Sequence, residues 1–350
     1  MYVNKLKLMK IALTGGGTLG HVIPCLSVMD SIKKIDSSST FFYIGSEKEV
    51  EKKYVEDRGV KYYPIKCGKL RRYFSVKNIS DCLFILVGFF QALKVLRKEK
   101  PDVLFSKGGF VSVPPVVAAK VLKIRCITHE SDRSMGLANK INSKFCEKVC
   151  LGFPNSNLNS SKYIYTGNPI RSDLIALKKE KQDKALIVVL GGSQGAVEIN
   201  ELIYKNLDEL LKSANIIHQA GRYGNFNIKK EGYSSYSFID KDYASILSKA
   251  SLVISRAGAN TLSELISINT PMYLIPLSLN ASRGDQIENA KWAEEQGCAK
   301  VMKNSDDFLS DILSLINDSE ELRKMEDAEK KISVANSSIA ISKIILNIKE

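Results

Sequence analysis

The amino-acid sequence predicts an α/β chain folded as two parallel-sheet domains in tandem. Three observations carry that expectation. Short apolar runs alternate with longer stretches of helical periodicity throughout, which is the rhythm of parallel βα units. The rhythm starts afresh after a polar stretch, Ser172 to Lys184. Both halves also open alike, with a strand-like run that ends in glycines and leads into a helix: Ala12-Leu13-Thr14-Gly15-Gly16-Gly17 and Val189-Leu190-Gly191-Gly192-Ser193. Ligands of such Rossmann-like sheets bind outside the carboxyl ends of the strands, so two of them facing each other would share one cleft.

In the first half the strand-like runs are Lys10 to Thr14, Thr40 to Ile44, Asp102 to Ser106, Ile124 to Thr128 and Lys148 to Phe153. In the second they are Ala185 to Leu190, Leu252 to Ser255 and Met272 to Pro276. With 350 residues, against about 100 to 200 for a usual domain, the expected division is residues 1–170 and 171–330. A C-terminal helix over 331–350 is expected to pack back on the first domain.

Composition excludes several classes. Hydrophobic residues at 44% and charged residues at 25% describe a folded chain rather than a disordered one. Met1 to Lys10 is basic, and Ile11 to Leu13 runs into glycines rather than into a cleavage site, so no signal peptide is expected. The longest apolar run, Cys82 to Phe90, falls short of the about 20 residues a membrane span needs. Seven cysteines without a CxxC pair suggest buried free thiols in a reducing cytoplasm. Cys146 and Cys150 have no nearby His or Cys to complete a metal site. Charge is uneven: residues 1–170 hold 28 Lys+Arg against 13 Asp+Glu, or +15, and the remainder 23 against 25, or −2. The first half therefore favours an anionic partner, either nucleic acid or an acidic membrane surface, unless the excess is simply a solvated face.

The loops at the strand ends supply the candidate chemistry. The first reads TGGGTLGHVIP. Its Gly15, Gly17 and Gly20 satisfy GxGxxG, but the strand Phe41 to Ile44 ends in Gly45-Ser46 instead of the acid that would hold a dinucleotide ribose. No GKS or GKT follows, which excludes a P-loop. His21, at the start of the following helix, can act as a base on a bound substrate, or it can cap the helix or fill the core. A second glycine turn, Ser106 to Pro114, contains Phe110. Next, Thr128-His129-Glu130-Ser131-Asp132 gathers ionisable groups at a strand end, where burial is costly and a cleft is the natural place for them. Adjacent residues such as these rarely converge on one metal ion.

In the second half, LGGSQGAVEIN places Gly191, Gly192, Gly195 and Ser193 at a helix start, a natural diphosphate cradle. Ser255 to Thr261 forms another strand-to-helix turn, with Glu264 able to hold the hydroxyls of a ribose or to favour the helix dipole. Asp285 and Gln286 open a helix after a polar loop and suit a hydroxyl-rich ligand.

Together GGGTLGHVIP, GGFVSVP, LGGSQGA, HESD, GLANK, GNPIR, SRAGANTLSE and GDQIENA run through residues 15 to 290 and resemble the undecaprenyldiphospho-muramoylpentapeptide N-acetylglucosaminyltransferase (MurG) family. The resemblance implies the GT-B fold. It also implies inverting transfer of N-acetylglucosamine from UDP-N-acetylglucosamine (UDP-GlcNAc) to the 4-hydroxyl of the muramoyl sugar of lipid I, giving lipid II. Neither a cofactor nor a catalytic metal is implied. Matched to the family's motifs, donor contacts fall on Thr18, Leu19, Gly20, Asp132, Arg171, Ser193, Ile239, Ala259, Asn260, Thr261, Glu264 and Gln286. Acceptor positions are His21 as base, Phe110, His129, Glu130 and Asn139. The chain departs from the family at Leu19 in place of Gly, Phe110 in place of Tyr and Asp132 in place of Asn. Asp132 can accept from a sugar hydroxyl but cannot donate as an amide does.

The expected setting is peripheral, on the anionic cytoplasmic face of the cell membrane, with no nucleic acid involved. Lys69 to Phe74 is basic and precedes the apolar run. Leu83, Leu86 and Phe90 at helical spacing read as core, and Phe84, Ile85 and Phe89 as a lipid-facing patch. A UDP-sugar epimerase would share the architecture without needing a lipid surface. An NAD-dependent reductase would account for the first glycines alone, and a nucleic-acid binder for the basic half alone.

Overall fold

The computed structural model describes residues 8–68, 77–155, 157–158, 160–175, 177–180, 182–192, 195–239, 242–278, 284–334 and 336–348. The chain divides into two compact units, Met1–Arg171 with Asn336–Glu350, and Ser172–Ala335.

Unit 1 runs β1 (Lys10–Thr14), α1 (Leu19–Ile35), β2 (Thr40–Gly45), α2 (Glu49–Glu56), β3 (Lys61–Pro64), α3 (Lys77–Glu99), β4 (Val103–Ser106), α4 (Val113–Val121), β5 (Arg125–Glu130), α5 (Leu137–Phe145), β6 (Lys148–Leu151) and β7 (Tyr163–Tyr165). Its sheet is parallel, in the order β3-β2-β1-β4-β5-β6-β7. The apolar runs of β1 and β4 are buried because helices cover both faces of a parallel sheet. Ile11 pairs with both Phe41 and Val103, which makes β1 an interior strand.

Unit 2 runs α6 (Ser172–Ile175), β8 (Ala185–Leu190), α7 (Val197–Lys205), α8 (Leu207–Ser213), β9 (Ala214–Gln219), β10 (Tyr233–Tyr236), α9 (Tyr243–Lys249), β11 (Leu252–Ser255), α10 (Ala259–Ser267), β12 (Met272–Leu274), α11 (Asp285–Glu295), β13 (Ala299–Val301), α12 (Phe308–Asn317) and α13 (Ser319–Ile332). Its parallel sheet has the order β10-β9-β8-β11-β12-β13. In both sheets the chain order proceeds outward from the first strand first to one side and then to the other, so each has a topological switch point: between β1 and β4, and between β8 and β11. β3, β7, β9, β10 and β13 were not legible in the sequence. They are short or interrupted by polar residues, as in KYYP, YIY and YSSY.

The last helix, α14 (Ser337–Leu346), rejoins unit 1. Ile341, Ile345 and Leu346 enter the same core as Val22, Leu26 and Met29 of α1. The Arg125 guanidinium donates to the carbonyls of Ile344 and Ile345, satisfying part of the helix end, and pairs with Glu147. A single helix over 331–350 does not form: α13 stops at Ile332, where Ser333 turns extended with ψ 128°.

In α3 the expected inside and outside are partly exchanged. Leu83, Phe84, Leu86, Val87 and Phe90 are all exposed, and Ile85 and Phe89 are half-buried. The buried seam passes instead through Gly88, Ala92, Leu93 and Leu96. Gly88 explains the rotation, since a Cβ there would collide with the carbonyl oxygen of Lys66. No helix among the described residues is long and apolar enough to cross a membrane.

Candidate active site

In unit 1 the loops after β1 and β4 meet at the switch point. Gly17 has φ 93°, and a Cβ there would come 2.6 Å from Phe110 Cε1, so only glycine lets the Phe110 ring lie on the first loop. Gly109, at φ 78°, serves the second loop in the same way. A Cβ on it would meet the carbonyl oxygen of Gly16 at 2.7 Å and the imidazole Nε2 of His21 at 3.1 Å. His21 sits in the first turn of α1, its N–H donating to Thr18 O at 3.2 Å. Thr18 is the N-cap, with Leu19 and Gly20 between. His21 is therefore neither the cap nor a fully buried core residue; its half-buried ring lies against the second glycine loop.

Glu51 of α2 organises this loop and was not singled out by sequence. It is 1% exposed. Its carboxylate accepts from Gly17 N–H at 2.8 Å and from Ser46 Oγ at 2.7 Å. Only the fold brings a residue of an otherwise charged surface helix under a glycine loop.

The expected acceptor residues at the end of β5 divide by burial. His129 is fully buried, and its Nε2–H donates to Gly167 O at 2.9 Å. Burial holds its pKa well below the usual histidine range, and the nearby Lys107 cation adds to the effect. Glu130 is 6% exposed and accepts from the N–H groups of Asp132 (3.1 Å) and Gly136 (2.9 Å) and from Asn139 Nδ2 (3.0 Å). Asn139 also donates to His129 O at 3.0 Å and accepts from Thr128 Oγ1 at 2.8 Å. These groups fold the turn over Ser131–Gly136, whereas Asp132 itself stays half-buried. Arg171 is the last residue of the first span of unit 1.

In unit 2 the loops after β8 and β11 adjoin at the switch point. Ser193 lies outside the described residues. Ala259, Asn260 and Thr261 form the first turn of α10. That end has no side-chain cap, so its first backbone N–H groups and the positive end of the helix dipole suit an anion. Glu264, in the next turn, accepts from Tyr243 OH at 2.9 Å. Ile239 follows β10, and its N–H already donates to Gln219 Oε1 at 3.0 Å. Gln286, in the first turn of α11, accepts from Leu277 N–H at 3.1 Å. Arg256, to which the sequence gave no role, ties the end of β11 to the end of β12 and the start of α7 by donating to Ile275 O (3.0 Å) and to Glu198 (2.7 Å).

Comparison with known proteins follows the same division. Residues 11–151 match the N-terminal domain of glycosyltransferase family 28, and residues 186–343 match its C-terminal domain. A UDP-N-acetylglucosamine–N-acetylmuramyl-(pentapeptide) pyrophosphoryl-undecaprenol N-acetylglucosamine transferase of Clostridium botulinum is 44% identical over 309 residues, covering 85% of this chain and 87% of the relative. The enzyme of the same name from Clostridium perfringens strain SM101 is 43% identical over 352 residues, covering 97% and 95%. Among solved structures, the crystal structure of MurG from Acinetobacter baumannii superposes with a TM-score of 0.77 at 24% identity, covering 97% of this chain and all of that one.

Proposed function

Since the chain belongs to glycosyltransferase family 28, and within it to the family of these undecaprenol-linked N-acetylglucosamine transferases, we propose that it carries N-acetylglucosamine from UDP-GlcNAc to the muramoyl sugar of lipid I, giving lipid II. The observation that carries this reading is a half-buried histidine where two glycine loops meet at a switch point, in a chain with relatives named for that reaction.

In this reading His21 removes the proton of the acceptor 4-hydroxyl as its oxygen attacks the anomeric carbon. The bond to UDP breaks on the opposite face, the electron pair leaves with the diphosphate, and configuration inverts. The growing charge on UDP is met by the helix end at Ala259-Asn260-Thr261, with Ser193 and Arg171 as further contacts. Thr18, Leu19 and Gly20 line the donor side. The uracil lies at Ile239, the ribose hydroxyls at Glu264, and the sugar at Gln286 and Asp132. Phe110 faces the acceptor, while His129, Glu130 and Asn139, each hydrogen-bonded inside unit 1, serve it by shaping the turn over Ser131–Gly136.

The acceptor's lipid implies peripheral attachment to an anionic cytoplasmic membrane face. The exposed apolar side of α3 supports this, with Lys69, Arg71 and Arg72, which lie outside the described residues, supplying nearby cations in the sequence. The test of the reaction is label transfer from radiolabelled UDP-GlcNAc. Label should enter the lipid fraction only when lipid I is supplied. Epimerised nucleotide sugar without lipid labelling would refute transfer in favour of a UDP-sugar epimerase.

A further inference from the structure

Lys107 has no part in the scheme above, yet it is a lysine only 1% exposed. An ammonium so buried is costly unless other groups meet it, so its surroundings indicate its use. It lies one residue beyond β4, and its backbone N–H donates to Thr14 O at 2.9 Å at the end of β1. Its Cβ lies 3.3 Å from where a Cβ on Gly15 would stand, and that of His21 at 3.4 Å from the same point. Its ammonium donates to Ser131 Oγ, just past β5, and the carbonyl of Ser131 accepts from Asn168 Nδ2 at 3.1 Å. One residue thus joins the ends of the three strands whose loops carry His21, Phe110 and Asp132, by its backbone to β1 and by its ammonium to the end of β5.

We propose that Lys107 is a positioning residue for the transfer: its charged ammonium, bound to Ser131 and facing the carboxylates of Glu130 and Asp132, holds the turn over Ser131–Gly136 in its working shape. This rests on the family reading for the role of Asp132 and adds the charge on which that role depends. Glu130 is already served by three N–H donors. Asp132 is not a neutral amide, and a carboxylate near a nucleotide diphosphate repels it. A cation beneath the turn offsets that repulsion without occupying the sugar site.

The state of charge is open to titration. Burial lowers the Lys107 pKa to about 8, opposed by the carboxylates of Glu130 and Asp132, and the cation in turn depresses His129. Raising the pH through about 8 therefore neutralises the amine and should loosen the turn. Stability moves the other way. Between about 8 and the unfolded value of about 10.4, the unfolded chain binds more protons at this lysine, so this group makes the fold more stable as pH rises. Lost turnover without lost stability is thus a signature that a purely structural role would not give.

The experiment uses the full chain and measures kcat/KM for transfer to lipid I between about pH 6.5 and 10, with thermal melts alongside. A second readout is hydrogen exchange in residues 131–136, corrected for intrinsic base catalysis. For the wild type we expect kcat/KM to fall about tenfold per pH unit above about 8, together with protection of 131–136, while the melting temperature holds. Lys107→Arg, which stays charged, should remove both alkaline losses. Lys107→Met should lower kcat/KM about 10²-fold below about pH 8, lose the alkaline fall and leave 131–136 poorly protected, and adding Asp132→Asn should restore about tenfold. A wild type without transfer at any pH would sink the family reading, while exchange would still test Lys107. Alkaline losses that persist in Lys107→Arg, or wild-type kcat/KM and protection in Lys107→Met, would overturn the proposal. If neither variant folds, wild-type protection that stays constant through pH 8 overturns it.

Discussion

His21 and Glu264 call for two different kinds of test. His21 is held in the first turn of α1 against Gly109, and its proposed work is on the acceptor, not on UDP. His21→Ala should therefore lower kcat by about 10² to 10⁴ and leave the calorimetric affinity for UDP unchanged; a matching loss of UDP affinity would remove His21 as base. Glu264 is already engaged by Tyr243, which orients the carboxylate while leaving it further acceptor sites. Glu264→Ala should weaken UDP binding by roughly 1.5 to 3 kcal/mol, the worth of a charge-assisted hydrogen bond. An unaltered calorimetric titration would show that the residue serves only α9 and α10. His21 and Glu264 were visible in the sequence because each follows a glycine turn after a strand. Glu51 and Lys107 were not, because Glu51 sits among charged helix residues and a lysine beside two glycines looks like an exposed loop cation.

Among the described residues, the helix α3 presents an exposed apolar face, with Leu83 61%, Leu86 53% and Phe90 58% exposed. Periodicity placed those three inside, since it reports spacing but not rotation; the close fit of Gly88 beneath Lys66 decides the rotation. Leu86→Ser with Phe90→Ser should reduce co-sedimentation with anionic vesicles, as each side chain buried in lipid is worth about 1.5 to 3 kcal/mol. Because both are already in water, the melting temperature should hold. Changing Lys69, Arg71 and Arg72 to Ala should remove about 1 kcal/mol each, and rising salt should do likewise. Vesicle binding indifferent to all of these changes would mean that the chain reaches its acceptor by another surface.

The chain as a whole begins and ends in unit 1, since α14 enters the core beside α1. This makes the last residues part of the stability of the N-terminal unit despite the intervening unit 2. Ile341 is fully buried, so Ile341→Ala should cost unit 1 about 2 to 5 kcal/mol, a large share of the 5 to 15 kcal/mol typical of a domain. Denaturant unfolding followed by hydrogen exchange should show unit 1 amides losing protection while those of unit 2 keep theirs. Equal loss in both units would contradict the separate cores.

The amino-acid order alone determined the α/β class, the paired glycine-led openings and the family motifs, because apolar runs, turn chemistry and strand-to-helix junctions are properties of neighbouring residues. It also indicated the strand that opens each half, at Lys10–Thr14 and Ala185–Leu190. Only the tertiary structure decided which polar groups go inside and what they hold. Gly17 meets Glu51 across 34 residues, Lys107 meets Ser131 across 24, and Arg125 reaches Ile345 across 220. Partners so far apart are chosen by strand order and helix rotation, and those follow from the packing of the whole unit rather than from any local pattern.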